Sequence, residues 1–352
     1  MANKESPLGL QQTKGSFQVK GLVTGTEKDK FYSELTTKTG KQMRMINFGV
    51  TVNSGKNVYL RLNGMERDNV YYSKTTKQGD KKITDVQKVA WADRFKWRQT
   101  HSDYNLIGVH LGIEKTVDDK GNTVNDKRTM VEYDACKEIA DRLIDDSPVF
   151  VRGTLEFSTY NDSHRTNFVP NQISLCQPID FDKEDFAETA NFEQQIVFMG
   201  IEKNKDAENE FVISAKTVTY NSIEDIELYV NNPNLAKKFR TLKPYTAIKV
   251  YGNIVVENDT SQVKEDNDGW GEVNPMERVN NPTTWKLVVI GADSSSIDTE
   301  LYPKEAVEAA MAKIVAEQTV NKDFGSKASD DGDWGEQSKM DNSDDEDDDI
   351  PW

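Results

Sequence analysis

The sequence predicts a mainly β fold with minor α: two five-stranded Greek-key barrels in tandem, plus a disordered acidic tail. Three observations predict it. Apolar residues alternate with period two in short runs bounded by turn residues, the pattern of half-buried strands. The order strand–strand–strand–helix–strand–strand occurs twice along the 352 residues. The fourth strands of the two copies align, Val149–Phe157 beside Ile248–Val256, each reading apolar-x-Val-x-Gly-x-apolar-x-apolar.

In the first copy Phe17, Val19, Gly21 and Val23 share one side of a strand, with Gln18, Lys20 and Thr24 on the other. A polar stretch follows to Gln42. Ile46, Phe48, Val50 and Val52 form the second strand, and the turn Asn53–Lys56 leads to the third, with Val58, Leu60 and Leu62 inward. After a long basic and aromatic excursion, Val131–Asp145 has Cys136, Ile139, Ala140 and Leu143 at helical spacing. Strands at Val149–Phe157 and Phe168–Leu175 complete the set, the order of an OB fold. The second copy has strands at 192–201, 211–219, 226–230, 247–256 and 285–290, with a helix at 234–242. Gly153 and Gly252 stand where a barrel strand bends tightly.

The expected organisation is a flexible N-terminus (1–14), a basic barrel (15–182) with an insertion at 64–130, an acidic barrel (190–302), a helix (303–318) opening at Pro303, and an unfolded tail (319–352). Two Asp- and Gly-rich stretches, 266–272 and 330–336, echo each other, either as linear binding elements or by coincidence of composition.

Charge is divided along the chain. The formal net charge is −16, yet residues 1–100 carry 19 Lys+Arg against 9 Asp+Glu, while residues 321–352 carry 3 against 12. A basic head points to a polyanion site. The two cysteines, Cys136 and Cys176, lack metal-ligand spacing, and His101, His110 and His164 form no zinc pattern with them. No paired-acid, Ser-His, P-loop or H-E-x-x-H arrangement occurs, so neither catalysis nor a cofactor is expected. No apolar run approaches the ~18 residues of a membrane span, and the N-terminus has no signal-peptide core, so a cytoplasmic location is expected.

Binding a single strand without sequence preference needs cations that track phosphates and aromatic faces that stack on unpaired bases. The first copy supplies both. Lys28, Lys30, Phe31 and Tyr32 lie in the loop between the first two strands, and Tyr59, Arg61, Phe150 and Arg152 have outward parity. The insertion adds Tyr71 and Tyr72, then the interleaved run Trp91, Arg94, Phe95, Lys96, Trp97 and Arg98. The plain alternative for the insertion aromatics is that they plug it onto the barrel. The second copy, with 11 Lys+Arg and 18 Asp+Glu over 190–303, is expected to be mainly structural or self-associating, with Lys249, Tyr251 and Lys237–Arg240 its small cationic patch.

The chain ends in six consecutive carboxylates, Asp344–Asp349, followed by Ile350, Pro351 and Trp352. The carboxylates repel one another into solvent, while the apolar tip offers a rigid indole anchor. Asp347, Asp348, Asp349, Ile350, Pro351 and Trp352 are therefore candidate partner-binding residues, a solubilising tail being the alternative. This tip resembles the C-terminal tail of bacterial-type single-stranded DNA-binding proteins, in which aspartates precede Ile-Pro-Phe; Trp352 stands in the place of the Phe. The resemblance implies a protein that coats single-stranded DNA in replication, recombination or repair. It further implies that the tip recruits polymerase, helicase, nuclease or recombination mediator, and that the tail lies across its own basic groove until DNA displaces it. Members of that family usually carry one barrel per chain and form tetramers. Two barrels per chain imply a monomer or homodimer, and the duplicated body fits a bacteriophage-encoded member acting in the host cytoplasm. The competing reading is an acidic interaction protein or DNA mimic, against which the basic head argues.

Overall fold

The fold is given by a computed structural model, which describes residues 6–327 apart from 80, 161–162, 206 and 259–282. The first barrel opens with β1 (Gly15–Thr24), the short β2 (Tyr32–Thr36), β3 (Gln42–Asn53) and β4 (Lys56–Met65). The insertion contributes the hairpin β5 (Asn69–Gln78) and β6 (Lys81–Ala90), a 3₁₀ turn at Trp91–Asp93 and the one-turn helix α1 (Trp97–Thr100). It continues with short strands β7 (Asn105–Leu106), β8 (Val109–Gly112), β9 (Lys115–Val117), β10 (Thr123–Asn125) and β11 (Arg128–Met130). Helix α2 (Glu132–Arg142) then leads into the long hairpin β12 (Pro148–Tyr160) and β13 (Ser163–Leu175). β1 pairs antiparallel with β3 and β12, β3 with β4, and β12 with β13. β13 meets β4 in parallel at Phe168 and Leu60, which closes the OB barrel.

The second barrel repeats these pairings strand for strand. Its elements are β14 (Thr189–Lys203), β15 (Phe211–Val218), β16 (Ile223–Val230), helix α3 (Pro233–Phe239), β17 (Thr246–Asn258) and β18 (Thr283–Asp298). Its parallel closure is Tyr229 beside Val288. Both expected barrels are therefore present. The polar stretch before Gln42 differs from its expectation: β2 forms there because Tyr32 to Thr36 can pair with the protruding end of β3.

The barrels are joined by their first strands. β1 and β14 run antiparallel, from Gly15 opposite Gln194 to Lys20 opposite Thr189. Phe17 faces Gly153 and Phe192 faces Gly252, so these phenylalanines hold the same place in their barrels, and they face each other in the joint. A local two-fold thus passes through the Phe17–Phe192 pair. One core runs through the seam, with Phe168 edge-on to both Phe17 and Trp285 at 5.2 Å between centroids. Gly15 makes room for Gln194, since a β-carbon there would lie 1.8 Å from Gln194 Oε1.

Two terminal expectations are corrected. Residues 6–13 are docked rather than flexible: Leu10 is buried, Ser6 Oγ donates to the Tyr220 carbonyl (2.6 Å), and the Thr13 and Val218 backbones bond (2.8 Å). Helix α4 (Lys304–Lys327) extends past Gln318, because no proline interrupts the sequence there. Val307 and Ala310 of α4, together with Tyr302 and Leu10, cover Val197, Val218 and Ala247 on the outside of the second barrel. Apolar residues in both terminal segments supply the reason. Leu10→Ala should therefore destabilise the protein by about 2–3 kcal/mol in a denaturant titration. The remainder of the expected tail, from 328 onward, lies outside the described residues, as do the stretches 266–272 and 330–336.

Candidate nucleic-acid interface

Strand parity sets out one face of the first barrel. With Ile46, Phe48, Val50, Val58, Leu60 and Leu62 in the core, the alternate residues of β3 and β4 point out. Register then places Asn47 beside Arg61, Gly49 beside Tyr59 and Met45 beside Asn63. Arg61 Nε donates to Asn63 Oδ1 at 3.2 Å, and its Nη2 lies 3.4 Å from Met45 Sδ. Opposite Tyr59, Gly49 is covered: a β-carbon there would stand 2.7 Å from Thr24 Cγ2 and 3.4 Å from the Tyr59 ring, so the ring lies along the sheet beside Thr24. Continuing through β1 to β12, Lys20 stands beside Phe150 and Gln18 beside Arg152, again outward. The Arg152 guanidinium carbon is 5.4 Å from the Phe150 ring centroid.

The loop between β1 and β2 borders this face. Phe31 anchors it: the side chain is 7% exposed, inside the core, and the Asn47 backbone N–H donates to the Phe31 carbonyl at 2.8 Å. Asn47 Nδ2 also donates to the Lys30 carbonyl (3.1 Å), which leaves the side chains of Lys28 and Lys30 exposed at the edge of the Asn47–Arg61 row. At the other end, the Thr26 N–H donates to Asp145 Oδ1 (2.8 Å), and the Asp145 N–H to Thr26 Oγ1 (3.1 Å). Partial burial of Asp145 opposes its ionisation, but hydrogen bonds to the carboxyl from Thr26 and Gly25, together with the charge of Lys28, outweigh it and hold the carboxyl below its ordinary value. With a folded value below the unfolded one, the tether adds stability above the unfolded carboxylate range and loses it as pH falls through the folded value. Asp145→Asn should accordingly flatten the acid limb of the stability curve.

Several expected contact residues are corrected. Phe31 is the anchor just described, and Tyr72 is 1% exposed beneath the hairpin, so neither presents a face to a base. Trp91 and Trp97 pack with Val70, Val89 and Val131 in a small separate core; Trp97 lies 4.6 Å from the Tyr72 ring and stacks on His101 at 4.0 Å. Arg94 reaches back to α2 and grips Asp134 with two bonds, Nε to Oδ2 (2.7 Å) and Nη2 to Oδ1 (3.1 Å). Tyr32 turns to the α2 side of the sheet, where its hydroxyl bonds Glu34 and Lys137 Nζ lies 5.7 Å from its ring. Trp91, Arg94 and Trp97 are thus half-buried and plug the insertion against α2. Asp134→Ala should cost about 2–4 kcal/mol and speed proteolysis of the insertion.

Tyr71, Phe95, Lys96 and Arg98 remain exposed. Register also reveals a cationic surface that sequence reading did not isolate. On the open face of the β5–β6 hairpin stand Tyr71 beside Lys88, Ser73 beside Val86, Thr75 beside Thr84, and Lys77 beside Lys82. That face has no carboxylate among these residues. Asp85 lies on the opposite face, paired in register with Lys74, which is itself bound to Asp103. Three lysines and a tyrosine therefore share one side because the hairpin alternates, a segregation that needs the pairing register to be seen.

The matching face of the second barrel is unlike the first. By pairing, Asp225, Glu227 and Tyr229 fill the places of Asn57, Tyr59 and Arg61. Lys216 is tied to Asp225 at 2.5 Å, and Lys286 sits 4.9 Å from the Tyr229 ring. Arg240 lies over Phe211 (5.2 Å) and Phe239 is buried, so the expected patch at 237–240 does not join Lys249 and Tyr251.

Among the described residues no cluster of metal-ligating side chains occurs, and no helix is long and apolar enough to cross a membrane. The tip residues Asp347 to Trp352 lie outside the described residues.

A protein-family model described as YorF matches residues 14–327. No curated protein matches the chain. Among solved structures, a deletion mutant of the single-stranded DNA binding protein from Thermus aquaticus is similar at 9% identity and a TM-score of 0.37, covering 84% of this chain and 98% of that one. The wild-type Thermus aquaticus protein gives 9% and 0.36, covering 80% and 93%. Likeness at this level does not bear on what the chain binds.

Proposed function

The chain belongs to the YorF family, and we propose that it binds single-stranded DNA through the first barrel, with little regard to sequence, and recruits other proteins through its Ile-Pro-Trp tip. The observation that carries the first part is the set of outward rings and cations on the sheet face of the first barrel and on the open face of its hairpin. Tyr59, Phe150 and Tyr71 offer π-faces, while Arg61, Arg152, Lys28, Lys30 and the hairpin lysines border them. Stacking tolerates any base, and lysine or arginine contacts release counterions from any strand.

Sequence alone supports the second part: an acidic leash ending in an indole suits a pocket with a basic rim on a replication, recombination or repair protein.

Fluorescence anisotropy of labelled oligo-dT tests the binding. Affinity should fall steeply as salt rises, with duplex DNA of equal length competing poorly. No binding in dilute buffer would refute the proposal. Deleting residues 343–352 should leave the fold intact, raise affinity for oligo-dT at low salt, and abolish capture of partner proteins; unchanged affinity would remove the self-covering tail.

A further inference from the structure

The second barrel lacks Tyr59 and Arg61 equivalents on its β15–β16 face, but it meets the first barrel's face at the seam. Across the joint, Arg152 Nη2 donates to Gln18 Oε1 (3.4 Å), Gln18 Nε2 to Asn191 Oδ1 (3.5 Å), and Asn191 Nδ2 to Asn253 Oδ1 (2.9 Å). This row of amides crosses four adjacent strands, about 14 Å, and contains no carboxylate. At its far end, two residues before Asn253 on the same face of β17, stands Tyr251.

Tyr251 is 43% exposed, and its hydroxyl has no partner among the described residues. Its cross-strand neighbours are Glu193 on β14 and Gly291 on β18, and a β-carbon at Gly291 would lie 2.5 Å from the tyrosine's Cζ and Oη. The ring therefore lies down on the bare glycine and turns its other face outward. In the first barrel Gly49 is instead covered mainly by Thr24, with the Tyr59 ring beside it. Covering a glycine is in itself a structural role for an aromatic ring, but that role does not explain the amide row leading to it. Nearby, Lys249 Nζ is 3.3 Å from Glu193, and Asp293 faces Lys249 in register. The station thus has little positive charge to spare for a phosphate.

We propose that Tyr251 is a second base-stacking station for the same strand of DNA, reached from Phe150 and Arg152 along the amide row. This rests on the reading of the first barrel as a single-strand binder. The second barrel then contributes a π-face without counterion release, and the phosphates stay with the first.

The test uses the full chain, Tyr251→Ala, and two oligo-dT lengths, about 8 and about 35 nucleotides, chosen around the site size of one barrel and beyond that of two. Tyr251→Ala should weaken the long oligonucleotide about five- to thirty-fold, by the same factor at low and high salt, and leave the short one unchanged. Tyr251→Phe should bind as the unaltered protein does. Photocrosslinking of the unaltered protein to long 5-iodouracil-substituted oligo-dT should label the peptide containing Tyr251, which keeps the idea testable if the alanine variant folds poorly. Equal affinity of Tyr251→Ala for the long strand, or no crosslink at that peptide, overturns the inference while the first barrel's role stands. Should the unaltered protein bind neither length, it is the first barrel's role that fails.

Discussion

Replacing Lys77, Lys82 and Lys88 together by glutamine should lower oligo-dT affinity about a hundredfold near 0.1 M salt and reduce the salt slope by about 2. The size follows from counterion release. Each single-strand phosphate contact adds about 0.7 to the slope, hence about 0.7 decade at 0.1 M, and three contacts give roughly two decades. The three lysines share the open face of the hairpin with Tyr71, and none makes an ion pair among the described residues. Their loss should therefore leave the unfolding midpoint nearly unchanged, within about 0.5 kcal/mol. Anisotropy titrations across a salt series, beside a denaturant curve, separate the two effects. An unaltered salt slope would remove the hairpin from the DNA path.

Gly153→Val should destabilise the protein by at least about 3 kcal/mol, read as a lower midpoint in urea. Its backbone conformation is ordinary, so the cause is space. A β-carbon at Gly153 would lie 2.0 Å from the Val169 carbonyl oxygen and 2.5 Å from the Phe17 ring. The first neighbour is backbone in the partner strand, and the second is packed edge-on against Phe168 at the seam, so neither can yield cheaply. Gly252 meets the Val288 carbonyl oxygen at 1.9 Å in the second barrel, and Gly252→Val should behave alike. A near-neutral result at either site would mean that the fourth strand sits farther from its neighbour than described.

Much of the fold was legible because alternation is a local signal. Phe17 to Val23, Ile46 to Val52 and Ile248 to Val256 show their buried side in the sequence itself, and the paired glycines Gly153 and Gly252 betray the duplication. Tyr59, Arg61, Phe150 and Arg152 were placed outward by the same parity. The roles of Trp91 and Trp97 stayed open in the sequence because a ring beside a cation looks identical whether it stacks on a base or covers an apolar strand. The signal that distinguishes them was present but distant: Val70, Tyr72 and Val89 form an apolar hairpin face that needs a cover, and Asp134 lies forty residues from its Arg94. The β1–β14 seam was not legible, since pairing between strands about 170 residues apart leaves no periodic trace. Nor did Leu8 and Leu10 stand out in a polar leader, although they are what docks it.

The two-fold seam has a consequence for how its halves can change. In a symmetric dimer of identical subunits every substitution appears twice, once on each side of the axis. Here Phe17 and Phe192 meet across the axis within a single polypeptide, so dilution cannot part them. Each half is then free to mutate alone. The first carries a tyrosine and an arginine where the second carries Glu227 and Tyr229, and only the second has part of its outside, at Val197, Val218 and Ala247, covered by the segments before β1 and after β18. A covalent joint leaves a paired architecture under no obligation to be the same on both sides.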